Sequence, residues 1–253
     1  MITSLANTKV KYVQRLQKEK RFRLREQAYV VEGTRWLTEF MRVTHMPSLV
    51  LYTAVWQHQY GSILQQLDAP SQIVSDAVMG AMSDTETPPG VLAIVPIKPL
   101  PLPPRPSLLL ILDAVTNPGN LGTMLRSAAA AGADGVLLGP GCVDAYNPKV
   151  VRGGMGAQVR LPIQSADWTE LANLVTGMQV WVAAADGSVA YTAVSWQQAS
   201  AIIIGGEANG PGAEALQLAT GRISIPMHAD TESLNAAMAA SIILFEAARQ
   251  RSS

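Results

Sequence analysis

The sequence predicts an α/β protein in two parts, a small N-terminal α/β domain and a larger domain built on a parallel sheet. Three observations predict this class. Apolar runs of strand length alternate with helical stretches along the whole chain. Beyond residue 107 these runs are apolar at every position, as in Leu108-Leu109-Leu110-Ile111-Leu112, which suits strands covered on both faces of a parallel sheet. Between the two parts, Pro96, Pro99, Pro101, Pro103, Pro104 and Pro106 exclude a helix or a central strand, leaving a semi-rigid extended linker. The expected boundaries are 1–95, 96–107 and 108–253. A length of 253 residues fits one large domain or two small ones, and 48% hydrophobic residues suffice for a proper core.

In the N-terminal part, Val10, Val13, Leu16 and Phe22 recur at helical spacing among charges over residues 4–28. Tyr29 to Val31 reads as a strand ended by Glu32-Gly33, and 34–43 as a helix. Strands follow at 49–52, 72–74 and 91–95, with helices at 56–67 and 76–83, the last capped by Ser75.

In the C-terminal part, strands are expected at 108–112, 135–138, 180–184, 201–204 and 223–225, with helices at 121–131 and 167–176. A final helix should run from near Ser233 to about Arg249, capped by Thr231 or Ser233. Glu232 at its start and Arg249 and Arg251 at its end suit the helix dipole. Leu234, Met238, Ile242 and Phe245 recur at helical spacing and mark its expected buried face; Asn235 is an isolated amide at its mouth. In parallel α/β folds ligands sit beyond the carboxyl ends of the strands, where the polar, glycine-rich clusters of this sequence fall.

Formal net charge is +0, so the overall balance names no partner. Its distribution does. Lys9, Lys11, Arg15, Lys18, Lys20, Arg21, Arg23 and Arg25 stand against Glu19 within one short block, a footprint for a polyanion if it is more than a solvated helix face. Cys142 is the only cysteine, which excludes an intramolecular disulfide and a cysteine-rich metal site, and His45, His58 and His228 are scattered, so no metal is expected. The N-terminus lacks the apolar core of a signal peptide, and no apolar run is long enough to span a bilayer. The expectation is a cytoplasmic protein with no membrane partner.

Four clusters are equipped for chemistry. Asp113 to Arg126 leaves a buried strand and enters a helix, with Asn120 at or near its cap; Arg126, on an otherwise small and apolar helix, needs either a structural carboxylate or a water-filled cleft. Residues 204–212, IGGEANGPG, follow another buried strand and let the backbone approach a ligand, with Glu207 a helix-start acid or a site residue. The spacing is neither that of a dinucleotide loop nor that of a P-loop, and no GxSxG elbow is present. Ser233 and Asn235 form the third cluster. The fourth, residues 147–157, is basic and glycine-rich, and Lys149 and Arg152 suit phosphate contact, although taken alone it is better explained as an ordinary loop and helix start.

The segments NPGNLGTMLRSAAAAGADGVLL, IIIGGEANGPG and ISIPMHADTESLNAAMAASIILFEAARQR resemble, in this order, the three motifs of the SpoU family, also called TrmH, of RNA ribose 2′-O-methyltransferases in the SPOUT superfamily. The N-terminal SLANTKVKYVQRLQKEKRFRLREQAYVVEGTRWLTEFM is similar to the substrate-binding domain of the ribosomal-RNA branch, which resembles an RNA-binding ribosomal-protein fold. The resemblance implies a SPOUT domain with a C-terminal trefoil knot, S-adenosyl-L-methionine as cofactor, a homodimer and RNA, notably 23S ribosomal RNA, as substrate. It places Gly205, Ile225 and Leu234 at the cofactor and Asn120, Arg126, Glu207, Ser233 and Asn235 at active-site positions. Arg126 is implied as the base, a demanding role for a side chain that keeps its proton, or as the group that binds the adjacent phosphate and orients the hydroxyl. Glu207 is expected to fix Arg126 or the nearby backbone. Lys18, Lys20, Arg21, Arg23, Lys149 and Arg152 are the expected RNA contacts. The sequence departs from the family at Gly154, where members often carry serine in an RxSxGA segment. Alternatives are a transfer-RNA 2′-O-methyltransferase and a non-catalytic RNA-binding protein; a Rossmann-type enzyme would need a phosphate loop that is absent.

Overall fold

The computed structural model describes residues 1–43, 45–228 and 233–252. The expected cap Thr231 and its neighbour Glu232 therefore lie outside the described residues. The chain divides into two compact units. The first comprises residues 1–98 and 146–159, the second 99–145 and 160–253. Residues 146–159, expected in the C-terminal domain, thus group with the N-terminal one, because Val151 and Val159 join its core.

The first unit opens with α1 (Thr8–Lys18) and α2 (Lys20–Glu26), where a single long helix was expected. The break is at Glu19, whose extended backbone leaves the helical region. Asn7 caps α1, and Val10, Val13 and Leu16 are its buried stripe. Then follow β1 (Ala28–Glu32), α3 (Thr34–Phe40), β2 (Leu49–Tyr52), α4 (Ala54–Gln66), β3 (Ser71–Ile73), α5 (Asp76–Met82) and β4 (Val91–Pro96). Ser75 caps α5, accepting from the Val78 N–H. The sheet order is β1-β4-β2-β3, with β4 antiparallel to both neighbours and β2 parallel to β3. His45 is buried and its Nε2 lies 2.7 Å from the Pro96 carbonyl, a structural role.

In the second unit β5 (Leu108–Asp113) leads into α6 (Pro118–Ala130), followed by β6 (Gly135–Leu138). After α7 (Pro148–Gly154), which belongs to the first unit, come β7 (Ile163–Ser165), α8 (Trp168–Leu174), β8 (Gln179–Ala183), β9 (Val189–Ala190), β10 (Ser200–Gly205), α9 (Ala213–Leu218), β11 (Gly221–Ser224) and α10 (Ala236–Arg251). All the strands pair in parallel, in the order β7-β6-β5-β10-β8-β11-β9. The central β5 and β10 are buried at every residue, as their unbroken apolar runs require. The short β7, β9 and α9 are not legible in the sequence because they carry too few residues for a period.

The helix α10 corrects one expectation. It starts at Ala236, and its buried residues are Ala237, Ala240, Ile243, Leu244 and Ala247. Met238 and Phe245, expected inside, are 54% and 51% exposed, and Leu234 is exposed as well. Two apolar stripes run along this helix, and the small-residue one wins the interior because alanines let α10 lie close against α6. A Ser127–Ser241 hydrogen bond of 2.7 Å joins the two helices.

Candidate active site

β5 has β6 on one side and β10 on the other, so the connections run opposite ways from their shared carboxyl edge. A cleft opens at such a switch point. The loops that leave β5 and β10 close on each other there. The buried Asp113 carboxylate, at the end of β5, accepts from the Gly212 N–H at 2.7 Å. A Cβ on Gly206 would lie 2.5 Å from the Ala114 carbonyl, so only glycine passes. Ala114 itself has φ 52°, a left-handed conformation that side chains rarely adopt and that is concentrated at functional sites.

Asparagines cap three helices besides α1. Asn117 accepts from the Gly119 and Asn120 N–H groups, with Pro118 at the first helical position of α6. Asn147 accepts from the Lys149 N–H at the start of α7. Asn235 caps α10, its Oδ1 taking the Ala237 N–H at 2.9 Å and the Met238 N–H at 3.3 Å. The isolated amide at the helix mouth is thus the cap, in place of the expected Thr231 or Ser233. In α6 the cap is Asn117, not Asn120, which frees the Asn120 side chain.

That side chain is the hub. Asn120 Nδ2 donates to Glu207 at 2.9 Å, and Asn120 Oδ1 accepts from Asn235 Nδ2 at 3.0 Å. Glu207 also accepts from the backbone N–H groups of Thr116 and Asn117. Burial pushes the Glu207 carboxyl up, but Asn120 and these backbone donors outweigh it, and its pKa lies below the ordinary glutamate value. One amide and one ionised carboxylate thus knit the loops after β5 and β10 to the start of α10. Glu207 fixes backbone and Asn120, not Arg126; among the described residues Arg126, exposed on α6, has no ion pair or hydrogen bond. Thr116 and Asn117 were missed as site residues, and only the glycine-proline turn beside them hinted at a constrained loop.

Beside this knot of bonds lies a cavity of about 750 Å³, at the carboxyl ends of β8, β10 and β11. Gly205, Ile225, Leu234, Glu207, Ser233 and Asn235 all line it; Arg126 and Asn120 do not. The cavity walls are close-packed backbone. A Cβ on Gly205 would run into the Gly210 carbonyl carbon, and one on Gly187 into that of Ile223. The Arg222–Asp186 ion pair, 2.7 Å, stands at its rim.

The sequence matches the model of the SpoU rRNA Methylase family over residues 107–245, and that of an MRM3-like substrate binding domain over residues 7–93. The chain belongs to the SpoU rRNA methylase family. Relatives extend over both units. A Synechocystis protein described as an uncharacterized tRNA/rRNA methyltransferase is 33% identical over 99% of this chain and 94% of its own. The Bacillus subtilis 23S rRNA (guanosine(2553)-2′-O)-methyltransferase RlmP is 31% identical over 96% of this chain and 97% of its own. Among solved structures, the AdoMet-bound rRNA methyltransferase of Sinorhizobium meliloti superposes with a TM-score of 0.87 at 27% identity, covering 98% of this chain and 97% of that one. The SpoU methyltransferase AviRb of Streptomyces viridochromogenes, with AdoMet, gives 0.88 at 26% identity over 97% and 99%.

The first unit corrects the basic block. Arg23 is only 3% exposed, and its guanidinium donates to the carbonyls of Leu16 and Gln17 at the end of α1. It closes a helix terminus and is not presented to RNA. Arg15 and Arg25 flank the Phe22 ring at 3.8 and 4.8 Å and pair with Glu19 and Glu26. Lys18, Lys20, Arg21 and Lys149 are exposed, and Arg152 is paired with Asp84 at 3.3 Å. At Gly154 a Cβ would meet the buried Gln158 side chain at 2.9 Å, so the Gln158 carboxamide fills the space a serine would need. Among the described residues no cluster of His, Cys, Asp or Glu is placed to hold a metal, and no helix is long and apolar enough to cross a membrane.

Proposed function

We infer that this chain transfers a methyl group from S-adenosyl-L-methionine to a ribose 2′-hydroxyl of RNA, with 23S ribosomal RNA as the substrate. The observation that carries this reading is the Asn235–Asn120–Glu207 chain of hydrogen bonds at the edge of a glycine-walled cavity. Family membership supplies the reaction, and the names of the relatives that match both units supply the ribosomal substrate. A transfer-RNA 2′-hydroxyl-methylation structure covers only 57% of this chain, which favours ribosomal over transfer RNA.

The cavity fits the cofactor. Its volume, its tightly packed backbone walls and the apolar Ile225 and Leu234 suit a folded nucleoside with a methionyl arm, held through main-chain groups. When bound, S-adenosyl-L-methionine supplies an electrophilic sulfonium methyl. The rest is positioning. A ribose hydroxyl is a poor nucleophile and gains most from being held in line. Asn120 and Asn235 fix the loops that border the reacting position, and Glu207, kept ionised, holds the 116–117 backbone. An arginine is a demanding base, so we assign Arg126 the phosphate beside the target ribose, and the hydroxyl proton passes to water as the methyl is transferred and the sulfonium leaves as a neutral thioether. Ser233 adds a hydroxyl at the cavity wall. Lys18, Lys20, Arg21 and Lys149 hold RNA phosphates.

We also propose a homodimer. The exposed Met238 and Phe245 stripe of α10 is apolar surface with a partner still to meet, and Arg126 does not line its own chain's cavity, as expected of a site completed by a second subunit. A C-terminal trefoil knot is likewise proposed; the passage of Ala184 and Gly187 against the Ile223 backbone supports it. The domains are assigned as 1–95 for RNA binding and 108–253 for catalysis, with residues 146–159 packed on the former. The protein is assigned to the cytoplasm.

The test is methyl transfer from labelled S-adenosyl-L-methionine to unmodified 23S ribosomal RNA, followed by nuclease digestion. Label in a 2′-O-methylnucleoside is expected. Label in a base, or none in any RNA together with no cofactor binding by calorimetry, would overturn the assignment.

A further inference from the structure

A second cavity, of 240 Å³, lies wholly within the first unit and takes no part in the chemistry above. It is below the roughly 300–1,000 Å³ of sites for drug-sized ligands, so one planar ring system fits it and a folded cofactor does not. Its apolar lining includes the buried Trp36 indole, Pro148 and the Met155 thioether. Its edges are polar and carry both signs, with Glu32 and Glu39 against Arg35 and Arg152. Glu32 is held rigid, its Oε1 accepting from Gln17 Nε2 and from the Asp84 N–H, both at 2.7 Å, and its Oε2 from the Ser83 hydroxyl, which leaves one lone pair of Oε2 for a ligand. Arg35 is exposed and, among the described residues, has no ion pair.

We propose that this cavity receives a single base turned out of the substrate RNA, and that guanine fits it best. A planar π-system stacks on aromatic and thioether surface without regard to sequence. The polar edges then choose. Guanine has an N–H donor on its Watson–Crick edge for the remaining Glu32 lone pair and two adjacent acceptors, O6 and N7, for the Arg35 guanidinium. No other base joins such a donor to two adjacent acceptors. The surroundings suit a strand entering the cavity. Gln17, in its wall, is followed by the exposed Lys18, and Pro148 by the exposed Lys149, so cations stand beside the mouth on two elements. This proposal rests on the reading that the chain binds RNA.

The cavity can be filled without touching its charges. Thr87, exposed in the loop that borders it, is replaced by phenylalanine in T87F. Filter binding to a 23S ribosomal RNA transcript should weaken about tenfold, the loss expected of one stacked base, while the slope of affinity against salt, the thermal midpoint and cofactor affinity stay as in the wild type. In a second measurement, the ¹³C-methyl resonance of Met155, identified with M155L, should move with a short guanosine-containing oligoribonucleotide and stay in place with its abasic counterpart. Unchanged affinity in T87F with an unmoved methyl would overturn the proposal. So would a reduced salt slope, which would mean that T87F neutralises fewer phosphates, or a methyl that responds to free GMP and not to the oligonucleotide. If the wild type fails to bind the transcript at all, the RNA reading itself falls; if it binds and methylates while T87F behaves identically, only the base pocket falls.

Discussion

The first unit carries long charged side chains on helices, which we propose meet RNA, whereas the second builds its site from backbone N–H groups, three amides and one carboxylate at the edge of a parallel sheet. The difference is one of tolerance. Lysines on a helix act as point charges whose positions need not be fixed, since phosphate attraction is long-ranged and sequence-independent. The cavity in the second unit depends on close backbone approaches that a single Cβ would break. Substitutions in the second unit should therefore act sharply and singly, and those in the first gradually and in sum.

The sharpest case is Gly205→Val. Its side chain would have to displace the backbone of Gly210 and Pro211, which a close-packed loop cannot yield. Calorimetry should detect no cofactor binding, with circular dichroism verifying that the sheet persists. Wild-type affinity would show that these loops are loose and would erase the contrast.

Asn120→Ala comes next. It removes both bonds of the hub at once, to Glu207 and to Asn235, and misplacement by about an ångström costs on the order of 100-fold in rate. The fall should appear mainly in kcat, since Asn120 does not line the cavity. Glu207 gives a pH test of the same network. Its folded carboxyl lies below the ordinary glutamate value, so its stabilisation is complete above that ordinary value and is lost as pH falls through the folded pKa. Cofactor affinity should be level across neutral pH and decline only in acid, and E207Q should lose that acid limb.

The two units differ in legibility for the same reason. The β5 and β10 strands are readable because their runs are apolar throughout, and the asparagines because they sit beside turn residues. What is hidden depends on neighbours distant in sequence. Nothing local says that Asn117, not Asn120, caps α6, or that Glu207 reaches Thr116 instead of Arg126. The buried face of α10 is ambiguous in sequence because two apolar stripes of similar period compete, and only packing on α6 selects the alanines. In the basic block, Arg23 looks like its neighbours in composition; its burial follows from the break at Glu19, which turns α2 back onto the end of α1.

The exposed stripe of α10 gives an intermediate effect. Met238→Glu with Phe245→Glu should shift a dimer to monomer in sedimentation, because like charges would face each other across a two-fold interface. A wild-type monomer at micromolar concentration would remove the dimer from the proposed function.

The smallest single effects belong to the first unit, and they separate two kinds of cation within one block. Replacing Lys18, Lys20 and Arg21 by glutamine should leave thermal stability within about 0.5 kcal/mol per site, as for other exposed positions. RNA affinity should fall, and the slope of log affinity against log salt should drop by about 0.7 for each single-strand phosphate that is no longer neutralised. Arg23→Met should do the reverse. Two α1 carbonyls lose a charged donor inside the fold, destabilising it by about 1.5–3 kcal/mol, while the salt slope is unchanged. If Arg23→Met instead lowers the slope and leaves the melting point alone, its guanidinium turns outward in solution, and the block is one continuous phosphate surface rather than a helix stop flanked by cations.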